Sequence, residues 1–433
     1  MNQQVLASDA QEISGLDEWC RRLVLERLAH LQDGSVRVTD GRGTMVFGSG
    51  QPSETPLLDL HVTHPRFFRR LLTGGTVGAG ESYADGDWSC SDLATLVRVM
   101  VRNLDTTDRL EQGVTRIARG VDWLIHRLFR DNSKAGSRRN IAAHYDLGNR
   151  LFESFLDSRL MYSSAVFESE DEDLEQASLN KLQRIVHKLA LGPDDHLLEI
   201  GTGWGGLAIH AARESGCRVT TTTISAEQHA FATAKVNEAG LSNRIDVLCK
   251  DYRDLSGTYS KLVSVEMVEA VGANHLDTWF GCIERLLQPQ GLALVQAITI
   301  RDRRYVEALR SVDFIKKHVF PGSFIPSVSR LTASAAQSGG LVLVNLEDLA
   351  DDYARTLAAW WSRFDAAWPA LQSLGYDERF RRLWHFYLAY CEGGFRERAL
   401  SDVQLLFAAP AWRGRPWRVQ QAGSTVAIER EVH

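Results

Sequence analysis

Hydrophobic and polar positions divide the chain into two textures that meet near residue 140. Residues 16–31 place Leu23, Leu25, Leu28 and Leu31 near helical spacing, which predicts an amphipathic helix. Residues 34–40 and 43–48 alternate around Asp40-Gly41 and predict two strands joined by a tight turn, with a third strand at 57–62. A basic and aromatic stretch, 64–72, leads to Gly74-Gly75 and then to the acidic, aromatic run 81–88. These features describe a small α+β domain, 1–130, without a catalytic constellation. The polar run 131–139 reads as a linker. Beyond it a helix is expected at 150–155, and Leu179, Leu182, Ile185, Val186 and Leu189 mark another. Apolar runs at 197–200, 218–222, 245–249, 261–265 and 291–297 alternate with helical segments, which predicts an α/β domain over 140–433 with a mostly parallel sheet. Residues 341–346 and 403–407 are expected as two final edge strands, with a strongly aromatic helical region, 353–390, between them.

Chemistry enters at the turn after residue 200. Leu197-Leu198-Glu199-Ile200-Gly201-Thr202-Gly203-Trp204-Gly205-Gly206-Leu207 is an apolar run that ends in an acid, opens into glycines and starts a helix. That order forms the nucleotide-gripping corner of a doubly wound sheet. Glycine is required there because the turn needs unusual φ values and a ligand must approach bare backbone. The dinucleotide spacing G-x-G-x-x-G fits poorly, because Trp204 and Gly205 crowd the turn. The pattern E-x-G-x-G-x-G, Glu199 to Gly205, instead resembles the first motif of class I S-adenosylmethionine-dependent methyltransferases, with Glu199 placed to accept hydrogen bonds from the cofactor.

The next strand ends in Thr221-Thr-Thr-Ile-Ser-Ala-Glu-Gln228, without the acid that usually holds ribose hydroxyls. Gln228, with the backbone of Thr223 and Ile224, offers both donor and acceptor in its place. Asp251 and Tyr252 follow the third strand where an adenine ring would lie, the carboxylate toward the exocyclic amine and the phenol over the ring.

Composition narrows the surroundings. A formal net charge of −6 argues against a nucleic-acid partner. Six scattered cysteines without a C-x-x-C pair suggest neither a disulfide framework nor a metal site. The polar, acidic N-terminus is unlike a secretory signal, and no apolar run reaches the roughly 20 residues that span a bilayer. A cytoplasmic protein, peripheral on the inner face of the membrane, is the expectation. Phe67, Phe68, Leu71 and Leu72 beside Arg66, Arg69 and Arg70 read either as a lipid-surface element or as an ordinary packed helix with arginines turned outward. A second basic and aromatic stretch lies at 121–130.

Six gapped motifs then occur in one order: His144-Tyr-Asp-Leu-Gly-Asn149, Tyr162-Ser-Ser-Ala165, Glu199 to Gly206, Thr223 to Gln228, Asp251-Tyr-Arg-Asp-Leu255 and Glu269-x-Val-Gly272. The set resembles the cyclopropane fatty-acyl-phospholipid synthase family, related to the mycolic acid cyclopropane synthases, over about residues 140–398. The resemblance implies a Rossmann-like methyltransferase sheet with helical lipid-binding insertions. It implies S-adenosylmethionine as cofactor, with Tyr145, Tyr162 and Ser163 joining Glu199, Gly201, Gly203, Gly205, Thr223, Ile224, Gln228, Asp251 and Tyr252 in its pocket. The implied partner is an unsaturated phospholipid acyl chain at a membrane surface, and a homodimer is compatible with it. The implied reaction carries a methyl group to a cis double bond, after which loss of a proton closes a cyclopropane ring.

Such chemistry needs a passing cation stabilised, water excluded and a base supplied. Aromatic side chains suit the first two tasks, and Trp360, Trp361, Phe364, Trp368, Phe386, Tyr387 and Tyr390 are candidates. Most of them equally fit a buried helix face. For the base, the resemblance implies a bicarbonate ion held by side chains and backbone amides, at Glu269, Tyr353, Ser164, Gln296 and Ile298. Ser164 stands where cysteine is usual and Gln296 where many members have histidine, exchanges that bear on ring closure more than on methyl transfer. Glu266, three residues before Glu269, competes for the carboxylate role. Cys391 falls at the family's nominated cysteine, although the chemistry needs no thiolate and a buried structural thiol accounts for it. Methyl transfer without ring closure, or a lipid-surface protein that only senses the cofactor, are the alternatives.

Overall fold

The computed structural model describes residues 14–48, 57–103 and 148–415. Its first part is a four-stranded sheet with helices. Helix α1 (Gly15–Leu28) starts at Ser14, whose side chain accepts the Asp17 amide. Strands β1 (Val36–Asp40), β2 (Gly43–Phe47) and β3 (Leu58–Val62) follow, then α2 (Arg66–Ala84), β4 (Trp88–Cys90) and α3 (Leu93–Arg102). The sheet order is β2-β1-β3-β4, with β1 and β3 parallel.

One expectation is corrected here, and one of two open readings is supported. Helix α2 continues through Gly74-Gly75, with a kink at Gly75 (φ 53°), and takes in Glu81 to Tyr83. Phe67 and Phe68 are buried in the core, and Arg66, Arg69 and Arg70 pair with Asp87, Asp17 and Asp85. The 64–72 stretch therefore follows the packed-helix reading. The 121–130 stretch and the 131–139 linker lie outside the described residues.

The second part begins with α4 (Asn149–Phe155) and α5 (Leu174–Leu189), the latter capped by Asp173 and closed by Ala190 in the left-handed conformation. It then alternates β5 (His196–Ile200), α6 (Gly206–Ser215), β6 (Arg218–Thr223), α7 (Ala226–Glu238) and β7 (Ile245–Cys249). After β8 (Tyr259–Val265) come α8 (Leu276–Leu286), the long β9 (Leu287–Ile300), α9 (Asp302–Leu309) and α10 (Val328–Gly339). Strand β10 (Val342–Asp348), the long helices α11 (Ala350–Ser373) and α12 (Glu378–Arg396), and β11 (Leu400–Ala408) complete the described chain.

The seven-stranded sheet runs β10-β11-β9-β8-β5-β6-β7. Strands β9 through β7 are mutually parallel, whereas β11 is antiparallel to both β9 and β10. Residues 403–407 are thus interior and, among the described residues, only 342–348 forms an edge on that side, because β9 is long enough to pair with all nine residues of β11. The chain leaves β5 first toward β6 and β7, then returns to its other side at β8. That reversal opens a crevice at the carboxyl ends of β5 and β8.

The first part is bound tightly to the second. Helices α2 and α3 pack on α12. Arg382 donates to the carbonyls of Tyr83 and Trp88, and the Tyr83 hydroxyl meets His385 at 2.9 Å. Gly80 lets α2 approach this helix, because a Cβ there would lie 2.3 Å from the Phe314 ring and 2.9 Å from Phe386. Gly74 of the same helix faces no atom of the described residues within 4 Å. Alanine at an open helical glycine gains roughly 0.5–1 kcal/mol, whereas overpacking costs about 1–3 kcal/mol. Gly74→Ala should therefore raise the thermal midpoint and Gly80→Ala should lower it. Equal midpoints for the two variants would show that α2 does not cross this closely.

Candidate active site

A cavity of about 630 Å³ occupies the crevice and extends from the glycine turn to α12. At its β5 end, Gly201, Gly203 and Gly205 all have positive φ (109°, 51° and 90°). The amides of Gly201 and Thr202 both donate to the Thr222 carbonyl, which pins the turn against β6. A Cβ on Gly203 would meet none of the described residues within 4 Å, so bare backbone faces the cavity there. Glu199 is buried and accepts a 2.6 Å hydrogen bond from Thr221, and burial pushes its carboxyl up to about 8.

Thr223, Ile224 and Gln228 line the cavity at the end of β6. The Thr223 hydroxyl donates to the Gln228 side chain at 2.9 Å, which fixes the amide's orientation. Asp251 and Tyr252 line it after β7. The Asp251 carboxylate is gripped by Arg253 through two 2.7 Å contacts, and this guanidinium also lies 5.3 Å from the Tyr252 ring. The adenine-facing role read for Asp251 therefore has a competitor that sequence spacing does not reveal. Tyr162 and Ser163 also line the cavity, Tyr162 sharing a 2.9 Å hydrogen bond with Tyr387 and Ser163 accepting one from buried Lys181 at 2.6 Å. Tyr145 lies outside the described residues.

Beyond β8 the cavity meets a cluster of buried carboxyls. Glu266 accepts from the Ser164 amide (2.8 Å) and the Gln296 side chain (2.8 Å) on one oxygen, and from the Tyr353 hydroxyl (2.7 Å) on the other. The structure thus brings Ser164, Gln296 and Tyr353 together, but around Glu266 and not around Glu269. Glu269 accepts the Ile298 amide at 2.6 Å, while its other oxygen is buried without a hydrogen-bond partner among the described residues. Burial, with the neighbouring charge of Glu266, pushes the Glu269 carboxyl up to about 8. Burial raises the Glu266 carboxyl as well, but the Tyr353 hydroxyl, the Lys181 charge, the Ser164 amide and the Gln296 side chain all act against the rise, whereas Glu269 has only backbone donors to favour its charged form.

Sequence reading missed the next layer. Gln296 also donates to Asp402 at 2.8 Å and accepts from Gln404 at 3.0 Å, and Gln404 in turn accepts from buried Lys188. Asp402 and Gln404 sit on β11 opposite Ile298 and Gln296. Burial holds the Asp402 carboxyl far above the usual carboxylate range. The alternating face of a strand paired with the functional strand was the available signal, but the pairing itself is not local.

Of the seven candidate aromatics, only Tyr387 and Tyr390 line the cavity. Trp360, Phe364, Trp368 and Phe386 are buried core, and Trp361 stacks on His385 at 3.8 Å. Phe320, Phe324 and Phe395, not singled out beforehand, complete the aromatic wall, with Phe395 stacked on Tyr353 at 4.5 Å. Cys391 lines the cavity, and burial drives its thiol far up, which removes it as a thiolate nucleophile.

The chain is similar over residues 132–405 to the family model for mycolic acid cyclopropane synthetase. It is 36% identical to the tuberculostearic acid methyltransferase UfaA1 of Mycobacterium tuberculosis, over 88% of this chain and 89% of that protein. It is likewise 36% identical to the cyclopropane-fatty-acyl-phospholipid synthase of Escherichia coli K12, over 81% and 87% respectively. Among solved structures, mycolic acid cyclopropane synthase CmaA1 complexed with SAH and CTAB matches at a TM-score of 0.58 and 26% identity, covering 63% of this chain and 98% of that one. The methyltransferase sheet expected from the glycine motif is the one these proteins share. On the extent of the family match and on both relatives, the chain belongs to the mycolic acid cyclopropane synthetase family.

Proposed function

We propose that this protein is an S-adenosylmethionine-dependent enzyme that adds one carbon to the cis double bond of unsaturated acyl chains in membrane phospholipid and closes a cyclopropane ring. The observation that carries the reading is the continuity of one cavity, from a glycine turn and buried acid at β5 to a carboxyl cluster and an apolar, aromatic wall. The names of the relatives, a phospholipid cyclopropane synthase and a fatty-acid methyltransferase, point the same way.

The residues present fit the cofactor. Open backbone at Gly203 leaves room for it, and Glu199 and Gln228 supply acceptors at adjacent strand ends. When bound, the cofactor supplies an electrophilic methyl group. The chain's own residues do the rest: Glu269, buried and cavity-lining, places a carboxyl near the cation, and Tyr387, Phe320 and Phe395 exclude water around the reacting double bond. A separate bicarbonate ion does not fit, because the donors expected to hold it already hold Glu266.

Methyl transfer without ring closure is the second reading, favoured by the similarity to the tuberculostearic acid methyltransferase. A ring and a methylated alkene have equal mass, so proton NMR decides. Lipid from a host lacking ring-forming activity should acquire upfield cyclopropane signals when the protein is expressed. Vinylic methylene signals instead would establish the second reading.

The division into a 1–130 domain and a 140–433 catalytic domain is part of the proposal, supported by the place of every candidate cofactor and carboxyl residue in the second, with Val97, Val101 and Arg102 of the first reaching the cavity wall. Peripheral membrane association is supported by exposed Arg301 and Arg303 along the cavity's edge. Among the described residues no helix is long and apolar enough to cross a membrane. Raising the ionic strength to about 1 M shortens the screening length to about 3 Å, so activity on anionic vesicles should fall severalfold. Activity that ignores salt would count against the arginine edge.

For the cofactor turn, Gly203→Val forces a β-branched residue to φ 51° and fills the open space. The backbone term alone is roughly 1–2 kcal/mol, about five- to thirtyfold in affinity. Titration calorimetry on the folded variant should show at least that loss. Affinity within twofold of the parent protein would remove the turn from the binding site.

A further inference from the structure

We propose that Glu266 is a catalytic residue, the general base whose carboxylate fills the anion pocket of the reacting centre and makes the reaction independent of bicarbonate. The inference deepens the reading above and rests on it.

The donors around this carboxylate are fully committed. The Ser164 amide, the Tyr353 hydroxyl and one Gln296 N–H go to Glu266, and the other Gln296 N–H goes to Asp402. A second anion would arrive among Glu266, Glu269 and Asp402 with none of these donors left to receive it. Burial without donors is prohibitive for a charge. The buried cation acting on this cluster, Lys181, is already hydrogen-bonded to Ser163.

The backbone agrees. Glu266 has φ +47°, a left-handed conformation that costs a bulky residue about 1–2 kcal/mol. Its amide is held there by the Gln296 carbonyl at 2.9 Å. The conformation turns the side chain back over the end of β8 into the three donors, instead of letting it continue the strand. Strain maintained against such a cost at a cavity wall is the mark of a functional position. Glu266 lines the cavity together with Gly201 and Glu269, so it stands at the site and not behind it.

The step balances without another reagent. A C–C bond forms between the donated methyl carbon and one alkene carbon as the S–C bond breaks, leaving the positive charge on the other alkene carbon. A C–H bond of the added carbon then breaks. Its electron pair forms the second C–C bond of the ring, and the proton passes to the Glu266 carboxylate. The Tyr353 hydroxyl and the Ser164 and Gln296 N–H groups hold that carboxylate in place.

The test compares the full-length protein with Glu266→Gly and Glu266→Gln in buffer stripped of carbon dioxide, using labelled S-adenosylmethionine and vesicles of unsaturated phospholipid. Wild type should transfer label at the same rate with or without added bicarbonate. Both variants should lose at least 10²-fold. Glycine suits the positive φ and uncovers the donors, so added bicarbonate or formate should restore Glu266→Gly but not Glu266→Gln. A readout free of turnover is ¹³C NMR of bicarbonate without cofactor: line broadening is expected with Glu266→Gly and not with wild type. Wild-type activity that collapses more than tenfold without bicarbonate, or full activity of Glu266→Gly in stripped buffer, overturns the inference. Absence of label transfer by wild type under every condition overturns the underlying functional reading instead.

Discussion

A carboxylate removed from water needs its lone pairs answered, and at the end of β8 the protein answers those of Glu266 from three separate elements. The Ser164 amide comes from the segment before α5, Gln296 from the middle of β9 and Tyr353 from the first turn of α11. Hydrogen bonds to an ionised group are individually stronger than neutral ones, and losing one leaves a buried charge exposed to its full desolvation penalty. The same contacts therefore fix the relative positions of the sheet, the helical layer and the segment that carries Tyr162 and Ser163. Behind them, Asp402, Gln404, Lys188 and Glu347 extend the network to the sheet's edge, so β10 and β11 are tied to the reacting centre by polar contacts as well as by pairing.

How much of this the sequence disclosed follows from how local each signal is. The glycine turn was legible because strand, acid, turn and helix occupy eleven consecutive residues, Leu197 to Leu207. The parallel strands were legible because their apolar runs are short, bounded and spaced by helical segments. Glu266 was visible only as a rival to Glu269, because its partners lie 102, 30 and 87 residues away and its backbone conformation leaves no mark in composition. The same reasoning explains Arg253 at Asp251: it is two residues away, but whether a turn folds a guanidinium onto the carboxylate depends on the short helical turn at Tyr252–Asp254. Aromatic spacing of i, i+4 found helix α11 correctly but could not say that Trp360, Phe364 and Trp368 face its core side.

The first part of the chain contributes Val97, Val101 and Arg102 to the cavity wall and also supports the helix that carries much of that wall. Trp88, Tyr83 and Phe386 form a contiguous aromatic cluster across the two parts, and Arg98 and Arg102 of α3 both pair with Glu397 at the end of α12. Helix α12 carries Tyr387, Tyr390, Cys391 and Phe395 to the cavity wall. Loss of the small sheet would bare the opposite face of that helix. The arginines of 64–72 that first suggest a lipid surface are engaged by Asp17, Asp85 and Asp87, so any lipid-facing charge must come from elsewhere on the molecule.

The choice between a ring and an alkene is a matter of which C–H bond the base can reach, since both outcomes follow the same first C–C bond. A base carried by a diffusible ion can settle at any position its donors allow. A base carried on the chain is fixed by its backbone and by every donor that holds it. Glu266 is fixed on both counts, by a left-handed φ and by three hydrogen bonds from three elements. Its reach into the cavity is therefore set by the register of β8 against β9, in which Val265 lies opposite Gln296. A one-residue change in that register would turn Gln296 to the other face of the sheet. In this protein the position of the proton acceptor is a property of the sheet, and the acyl chain must be positioned to it by the aromatic wall.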